Sequence, residues 1–524
     1  MKRLIIVLAI AVVMAATQTG KLTDKTEASF AENKDSYVPG ELLVKYRGET
    51  AKTAVSKLNT ELGAEVMSEF PDLRWQHVRL REGVKMREAM NVYASDPNVE
   101  IVQPNFVYRI FATPNDEQFG QLYGMQRIRA PDAWETTTGD PNVVVAVVDT
   151  GIDKNHPDLA ANVWVNPREV AGNGIDDDGN GYVDDINGWD FLNQDNDPTD
   201  GHDHGTHCSG TIGGVGNNGI GVAGVNWNVK IMALKTHDDT VGGSTSVSLI
   251  KTFQYVAQMK DRGVDIRATS NSYGGPPEAG TYDQAVKDAI DTAGRNDILN
   301  VFAAGNQLTV DQEENNDVLP TYPGSYNSPS ILAVAASDQN DNRASFSHYG
   351  LTTVDVAAPG VALRSTVAGG GYANFSGTSM STPHTAGAVA LIAAAHPNLS
   401  AASIKATLMN TVDVLPQWNG LILTGGRINV ARAIAQPTIC TFKLSSARTT
   451  WAGGGGSGTV SIESAANCGF TGWSDQPWVV VTSDPASGNG SVTYTVLPNP
   501  SLTARTANLY IGGRVHTITQ AGLR

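Results

Sequence analysis

From residue 37 onward the spacing of apolar positions changes in a regular order. Residues 40–46 (GELLVKY) alternate as a half-buried strand does. Over 51–62, Ala54, Val55, Leu58 and Leu62 fall on one helical face. Residues 64–70 and 75–80 read as strands, 84–94 as a second helix and 99–110 as a last extended stretch, giving β-α-β-β-α-β. Pro114 and Asn115 make 111–116 turn-like, and a boundary is expected there. Continuous apolar runs then alternate with helical patterns for about 320 residues, an α/β signature. The run 143–148 (VVVAVV) suits a parallel strand buried on both faces, and 230–234, 298–303 and 331–335 read the same way. From 437 the pattern shifts to short alternating strands at 459–463, 479–482, 491–496 and 515–519, an antiparallel β-sandwich in which 452–458 (AGGGGSG) is a turn. No internal repeat is visible.

Charge sharpens this division. The 524 residues carry a formal net charge of −16, from 37 basic and 53 acidic side chains. A net acidic chain with no basic run is a poor nucleic-acid ligand and a better cation binder. The last 88 residues hold five basic and three acidic groups (+2), so the preceding 436 carry −18. At the start, Lys2 and Arg3 precede thirteen apolar residues (4–16). That run is too short for the ~20 residues a helix needs to span a bilayer, and it reads as a secretory signal peptide over 1–20. No membrane span is expected in the mature chain, and the protein is expected outside the cytoplasm. Three cysteines are too few for a disulfide scaffold. Secretion permits one bridge, expected between Cys440 and Cys468, with Cys208 left free because it lies in a different segment.

Three segments carry chemistry. VVVAVVDTGID ends a buried strand on Asp149, HGTHCSG begins at His204, and SGTSMSTPHTAG holds Ser379 before the apolar helix 386–395. Functional groups of α/β sheets gather beyond the carboxyl ends of strands. A serine hydroxyl becomes a nucleophile when an imidazole takes its proton and a carboxylate orients that imidazole. On these three blocks, in the order Asp, His, Ser, the chain resembles the subtilisin-like serine proteases over about 113–436. That order is the one the general Ser-His-Asp template already gives for subtilisin. The resemblance implies a parallel sheet with helices on both faces, Asp149 as orienting acid, His204 as general base and Ser379 as nucleophile. It makes Asn306, in VFAAGNQ, the side-chain donor to the oxyanion, with the Ser379 N–H as its partner. His207 is the family's second, non-catalytic histidine. Cys208 is expected to be a buried inert thiol, as in members similar to proteinase K and thermitase.

The same resemblance implies structural calcium. Its high-affinity site would take side-chain oxygens from Asp158 and Asn218 and carbonyls of Gly216, Ile220 and Val222, with Asp116 as the N-terminal ligand. Residues 176–203 hold ten aspartates and no Lys or Arg, and hard oxygen ligands suit Ca2+. Within them Asp176, Asp178 and Asn180 have EF-hand-like spacing without the twelfth acidic ligand, and Asp195, Asp197 and Thr199 resemble a second thermitase-type loop. By resemblance, Ser272, Tyr273 and Gly274 pair with substrate backbone, Ala303, Ala304 and Gly305 form the facing wall, and Thr321 lies near the pocket floor. No acid or base stands out to select a charged side chain, so a broad preference for apolar residues before the cut is expected.

Residues 36–112 resemble the family's ferredoxin-like inhibitory propeptide, with cleavage at about 110–113. Residues 437–524 resemble the BACON domain, an immunoglobulin-like sandwich suspected of binding glycans, where exposed Trp451, Trp473 and Trp478 could stack on sugars. The expectation is a secreted, monomeric serine endopeptidase acting on proteins or peptides. It would be made as a zymogen with its own propeptide as inhibitor. The alternative is a glycan- or surface-binding protein with a weakly active peptidase domain.

Overall fold

The computed structural model describes residues 37–107, 113–275, 282–307 and 314–523. The expected signal peptide and the expected propeptide cleavage point lie outside these residues. The chain separates into two compact units, 1–110 and 111–524.

In the first unit, strands β1 (Tyr37–Tyr46), β2 (Glu65–Phe70), β3 (Trp75–Arg79) and β4 (Val99–Phe106) form a sheet in the order β2-β3-β1-β4. The pairings β1–β3, β1–β4 and β2–β3 are all antiparallel. Helices α1 (Glu49–Glu61) and α2 (Met86–Ser95) close the core: Ala51, Val55, Ala89, Met90 and Tyr93 pack on Leu42, Val44, Val78 and Val102. The expected β-α-β-β-α-β order is what forms. A polar chain crosses this core, in which Tyr93 Oη donates to Asn59 Oδ1 (2.8 Å) and Asn59 Nδ2 donates to Gln76 Oε1 (3.0 Å).

The second unit is built on nine strands: β5 (Gly139–Asp149), β6 (Gly188–Asp190), β7 (Asn228–Lys235), β8 (Ile266–Asn271), β9 (Leu299–Ala303), β10 (Ile331–Ser337), β11 (Val356–Pro359), and further on Asp413–Val414 and Gly426–Arg427. Only the pairing of the last two is antiparallel. β5 is an interior strand, third from one edge, with Val145 opposite Ile231 of β7 and Ala268 of β8. Its alternate residues feed two different cores. Val143, Val145 and Val147 join one, and Val144, Ala146 and Val148 the other, which is why the strand reads as an unbroken apolar run. Helices α3 (His204–Gly213), α4 (Ser246–Asp261), α5 (Gln284–Arg295), α6 (Thr378–Ala395) and α7 (Ala401–Asn410) cover the faces. A hairpin of β12 (Leu363–Val367) and β13 (Gly371–Phe375) packs beside α3.

The β-rich end is a sandwich of two four-stranded sheets sharing one core, which joins Val460, Ile462, Val492 and Tyr494 to Leu509, Ile511 and Ile518. Two details depart from expectation. Arg448–Trp451 runs parallel, not antiparallel, to Arg514–Gln520. The turn is shorter than 452–458, because the strand Gly456–Glu463 begins inside it. The disulfide joins Cys440 to Cys468 and leaves Cys208 free and buried. Cys440 does not open a strand. It lies on α7, where its N–H donates to Ser403 Oγ (3.0 Å), and Ala406 of α7 belongs to the sandwich core.

The three tryptophans are not exposed, which corrects the basis of the sugar-stacking expectation. Trp473 is stacked on Tyr510 (4.3 Å) with the Arg295 guanidinium 5.4 Å from its ring centre. Trp478 lies under Arg505 (4.2 Å), and Trp451 meets Tyr494 edge-on (6.2 Å). Two cavities of about 500 and 360 Å³ line the seam between sandwich and α/β body, meeting at Ser328, Pro329 and Gly469.

Candidate active site

Asp149 is the last residue of β5, and its buried carboxylate accepts from the Thr150 N–H (2.8 Å). His204 opens α3 and faces it, Nδ1 to Asp149 Oδ1 at 2.7 Å. A Cβ on Gly205 would stand 2.2 Å from Gly151 O and 3.2 Å from Asp149 Cβ, so only glycine lets the helix start come this close to the strand end. Asp200, which sequence reasoning passed over, fixes the same junction. It accepts from the Thr206 N–H (2.8 Å) and from Thr150 Oγ1 (2.8 Å), while Thr150 Oγ1 accepts from the Gly205 N–H (2.9 Å).

Burial alone would lower the basicity of His204, but the charge of Asp149 outweighs it and the imidazole pKa is raised. Burial alone would raise Asp149, but His204 outweighs it and the carboxyl is lowered. His207 behaves in the opposite way. It is stacked on Phe375 (4.4 Å), its Nε2 lies 3.0 Å from Leu363 O, and burial brings its pKa down to about 4.

Ser379 is the second residue of α6, and Cys208 links it to the acid–base pair. The thiol sulfur lies 3.5 Å from Ser379 O and within 4.8 Å of the facing Asp149 and His204 ligand atoms. Burial raises the Cys208 pKa well above its usual value, so the thiol stays protonated and inert. Ser379 Oγ donates to Ser272 O (3.0 Å). Asn306 accepts at Oδ1 from the Thr378 N–H (2.9 Å) and Thr378 Oγ1 (3.1 Å), which turns its Nδ2 toward the Ser379 N–H. A Cβ on Gly377 would sit 3.5 Å from both of these nitrogens, marking a space between two converging donors.

A cleft of about 150 Å³ opens here, lined by Ser272, Tyr273, Gly274, Ala303, Gly305, Asn306, Thr321 and Ser379. Ala304 does not line it; strand alternation turns it into a separate apolar cluster with Ala335 and Trp418. Gly275 lines it too, as do Thr378 and His348, which were not foreseen. His348 is an imidazole in a cleft expected to hold no acid or base.

The acidic loops divide. Asp158 is fully buried and accepts from Asn218 Nδ2 (2.7 Å), the Val222 N–H (2.7 Å) and Tyr372 Oη (3.2 Å), while Asp116 accepts from the Asn217 N–H (2.7 Å). Burial and the neighbouring Asp116 charge raise Asp158, and among the described residues no basic side chain pairs with either carboxylate. Gly216 and Ile220 lie in the same loop. Two neighbouring buried carboxylates without a basic partner suit a hard divalent cation, though here Asn218 turns its amide nitrogen to Asp158 and its oxygen to the Ile220 N–H (2.9 Å).

The EF-hand-like stretch is held by its own hydrogen bonds. Asp176 folds back to accept from the Asn180 (3.0 Å) and Gly181 (2.7 Å) N–H groups, and Asn180 spends its amide on Asp185 (2.8 Å). Only Asp178 joins an acidic cluster, and its companions are Glu169 and Asp185. Burial pushes Asp185 up to about 6. In the third loop Asp195, Asp197 and Thr199 are exposed. Asp197 accepts from Thr199 Oγ1 (2.6 Å) and is paired with Lys154 (3.1 Å), so that loop satisfies itself.

The comparisons agree with this geometry. The sequence profile of the Subtilase family matches residues 140–436, and that of the fervidolysin N-terminal prodomain matches 23–105. Thermitase of Thermoactinomyces vulgaris is 36% identical over 323 residues, 62% of this chain and 99% of thermitase. The thermophilic serine proteinase of Bacillus sp. (strain AK1) is 32% identical over 425 residues, covering 80% and 94% of the two chains, and subtilisin E of Bacillus subtilis (strain 168) is 32% identical over 375, covering 71% and 84%. With over half its length matched by the family profile and a prodomain match ahead of it, this chain belongs to the subtilase family, as a serine endopeptidase bearing an N-terminal prodomain.

Proposed function

We propose that the protein is a secreted, calcium-stabilised endopeptidase that processes its own precursor and acts on proteins or peptides as a monomer. The observation that carries this reading is the 2.7 Å Asp149–His204 contact beside a helix start where Ser379 and Asn306 share one cleft. With Asp149 accepting from Nδ1–H, His204 presents Nε2 as the base. Rotation about χ1 takes the Ser379 hydroxyl from Ser272 O to that nitrogen. The oxygen attacks the substrate carbonyl as its proton passes to Nε2. The carbonyl oxygen, now negative, sits between Asn306 Nδ2 and the Ser379 N–H. The imidazolium then returns the proton to the leaving amine, and water repeats the sequence on the acyl-enzyme.

Segments 272–275 and 303–305 would flank the substrate backbone, an arrangement suited to strand addition. Residues 1–20 serve as signal peptide, 36–112 as inhibitory propeptide, 113–436 as peptidase and 437–524 as a β-sandwich module. Ca2+ at Asp116, Asp158 and Asn218, with the carbonyls of Gly216, Ile220 and Val222, would neutralise the buried carboxylates and fix the loop; it takes no part in the chemistry. The test is labelling by a fluorophosphonate together with Ser379→Ala. The wild type is expected to label and cut itself near 110–113, and the variant to do neither. Normal processing of the pure variant would sink the assignment.

A further inference from the structure

Asp200 is 4% exposed and accepts five hydrogen bonds. Its Oδ1 takes Thr150 Oγ1 (2.8 Å) and the N–H groups of His202 (2.9 Å) and Asp203 (3.1 Å). Its Oδ2 takes the Thr206 N–H (2.8 Å) and Thr206 Oγ1 (2.6 Å). Backbone N–H groups face both oxygens and cannot become acceptors, so only an ionised carboxylate satisfies the position.

A hydroxyl has one hydrogen, and both threonines spend theirs on Asp200. Their lone pairs are thereby aimed across the catalytic junction, in opposite directions. Thr150, which follows Asp149, accepts from the N–H of Gly205, which follows His204 (2.9 Å). Thr206, on α3, accepts from the Asp153 N–H in the loop after β5 (3.0 Å). The Thr150 N–H also donates to Asp149 Oδ1, the oxygen that faces His204 Nδ1. One carboxylate therefore sets two crossings between the strand end that carries the acid and the helix start that carries the base.

Its charge acts in the same sense. Burial disfavours the His204 imidazolium, Asp149 favours it, and Asp200 adds to the effect of Asp149. The other titratable groups around the ring are His202 and Asp203 in the turn before it, His207 and Cys208 on α3, and His237 beyond β7. Burial favours the neutral forms of His207, Cys208 and His237, and Asp203 accepts from the Ala368 N–H (3.0 Å). Lys235 and Asp239, beside Gly201, pair with each other.

We infer that Asp200 is a positioning residue for the catalytic base: by directing the Thr150 and Thr206 hydroxyls it ties the end of β5 to the start of α3 and so holds His204 on Asp149. The inference rests on the acid–base role proposed for that pair.

The test uses the processed full-length enzyme and one peptide substrate, with kcat and KM read separately across pH. In Asp200→Asn the amide nitrogen must face backbone N–H groups on one side or the other, so one crossing is lost with the charge. Its kcat should fall ~10²-fold, as for a misplacement near 1 Å, with KM little changed. The acid limb of its kcat profile should move to lower pH, because a charge that favoured the imidazolium is gone. Thr150→Val should lower kcat ~10-fold, the scale of one lost buried hydrogen bond, and Thr150→Ser, which keeps the hydroxyl, should recover most of that. Because both variants break the same tie, Asp200→Asn with Thr150→Val should lose less than the product of the single losses. A folded Asp200→Asn enzyme that loses only melting temperature, with wild-type kcat and acid limb, overturns the inference, as do fully multiplying losses. If Asp200→Asn does not fold, the Thr150 pair decides: equal losses in Val and Ser, or none in either, overturn it. A wild type that neither labels with fluorophosphonate nor cleaves the peptide overturns the endopeptidase reading instead.

Discussion

Gly205→Ala puts one methyl group at the tightest point of the catalytic junction. Its Cβ would lie 2.2 Å from Gly151 O. An ordinary contact of this kind is about 3.4 Å, so strand end and helix start must part by about 1.2 Å, in a region too densely packed to absorb it elsewhere. The helix has little room to move away as a body. A Cβ on Gly210 of α3 would already meet Thr366 Oγ1 at 2.2 Å, and the His207 ring is held against the β12–β13 hairpin. The gap opens next to the 2.7 Å His204–Asp149 contact and would stretch it toward 4 Å. A misplacement near 1 Å costs about 10²-fold in rate, equivalent to about 2.7 kcal/mol of barrier. The strain should also take about 1–3 kcal/mol from stability. The assay is kcat/KM on a short peptide at a temperature where circular dichroism shows the variant folded, with KM read separately. The loss should fall on kcat, and the acid limb of the pH profile should move down as the histidine loses its carboxylate. A folded variant with kcat within threefold of wild type would refute the claim that this glycine sets the acid–base contact.

Asn306→Ala should lower kcat by ~10²–10³ with little change in KM; that range was measured on subtilisin itself, so the test is whether this cleft behaves alike. Activity requires neutral His204, and Asp149 raises its pKa above the ordinary 6.5, so the rate should climb with pH through a midpoint above that value. Asp149→Asn should shift that midpoint down, and an unmoved midpoint would show that another group sets the limb. Excess chelator should lower the melting temperature by removing a contribution of ~2.7 kcal/mol for a site held at 100 times its dissociation constant. Asp158→Asn should abolish that difference, whereas a melting point indifferent to chelator would dismiss the bound cation. Reducing the 28-residue Cys440–Cys468 loop should cost ~3–4 kcal/mol on the chain-entropy estimate while sparing activity at low temperature. A mercurial bound at Cys208 should inhibit by displacing the Ser379 backbone 3.5 Å away, and full activity of the modified protein would refute that.

What could be read from sequence was whatever a residue's immediate neighbours determine. The run 143–148 announces a strand buried on both sides, so the position of Asp149 at its end follows. His204 and Ser379 each precede helical sequence and stand at helix starts. What could not be read depends on the direction a side chain takes inside a loop. Asp176 and Asn180 sit at ligand-like spacing, but spacing does not tell that Asp176 accepts from backbone N–H groups or that Asn180 donates to Asp185. Glu169 meets Asp178 from outside the motif, and Asp185 from its far end. Ala304 was placed in the cleft wall because its neighbours are there, but extended backbone sends alternate residues to opposite sides. Asp200 and His348 give no local signal, since their importance comes from elements brought to them from elsewhere in the chain. The tryptophans were misjudged for the same reason: what covers a ring is decided by an arginine or a tyrosine brought to it by the fold.

Helix α7 has a double ownership with a practical meaning for anyone rearranging this gene. Its Ile404 and Leu408 lie in the core of the α/β body, while Ala406 lies in that of the sandwich, and Cys440 rests on the same helix. A fragment boundary drawn at residue 436, where composition changes, would leave both pieces with a torn surface: the peptidase would bare a stripe of small residues, and the sandwich would lose a wall. Exchange of C-terminal modules between relatives should therefore succeed only when α7 travels with the sandwich or the recipient already presents small side chains at 402 and 406. By the same logic, a proteolytic nick between 436 and 440 should leave the two parts associated. Their attachment is a shared interior, and the covalent link is only one of its strands.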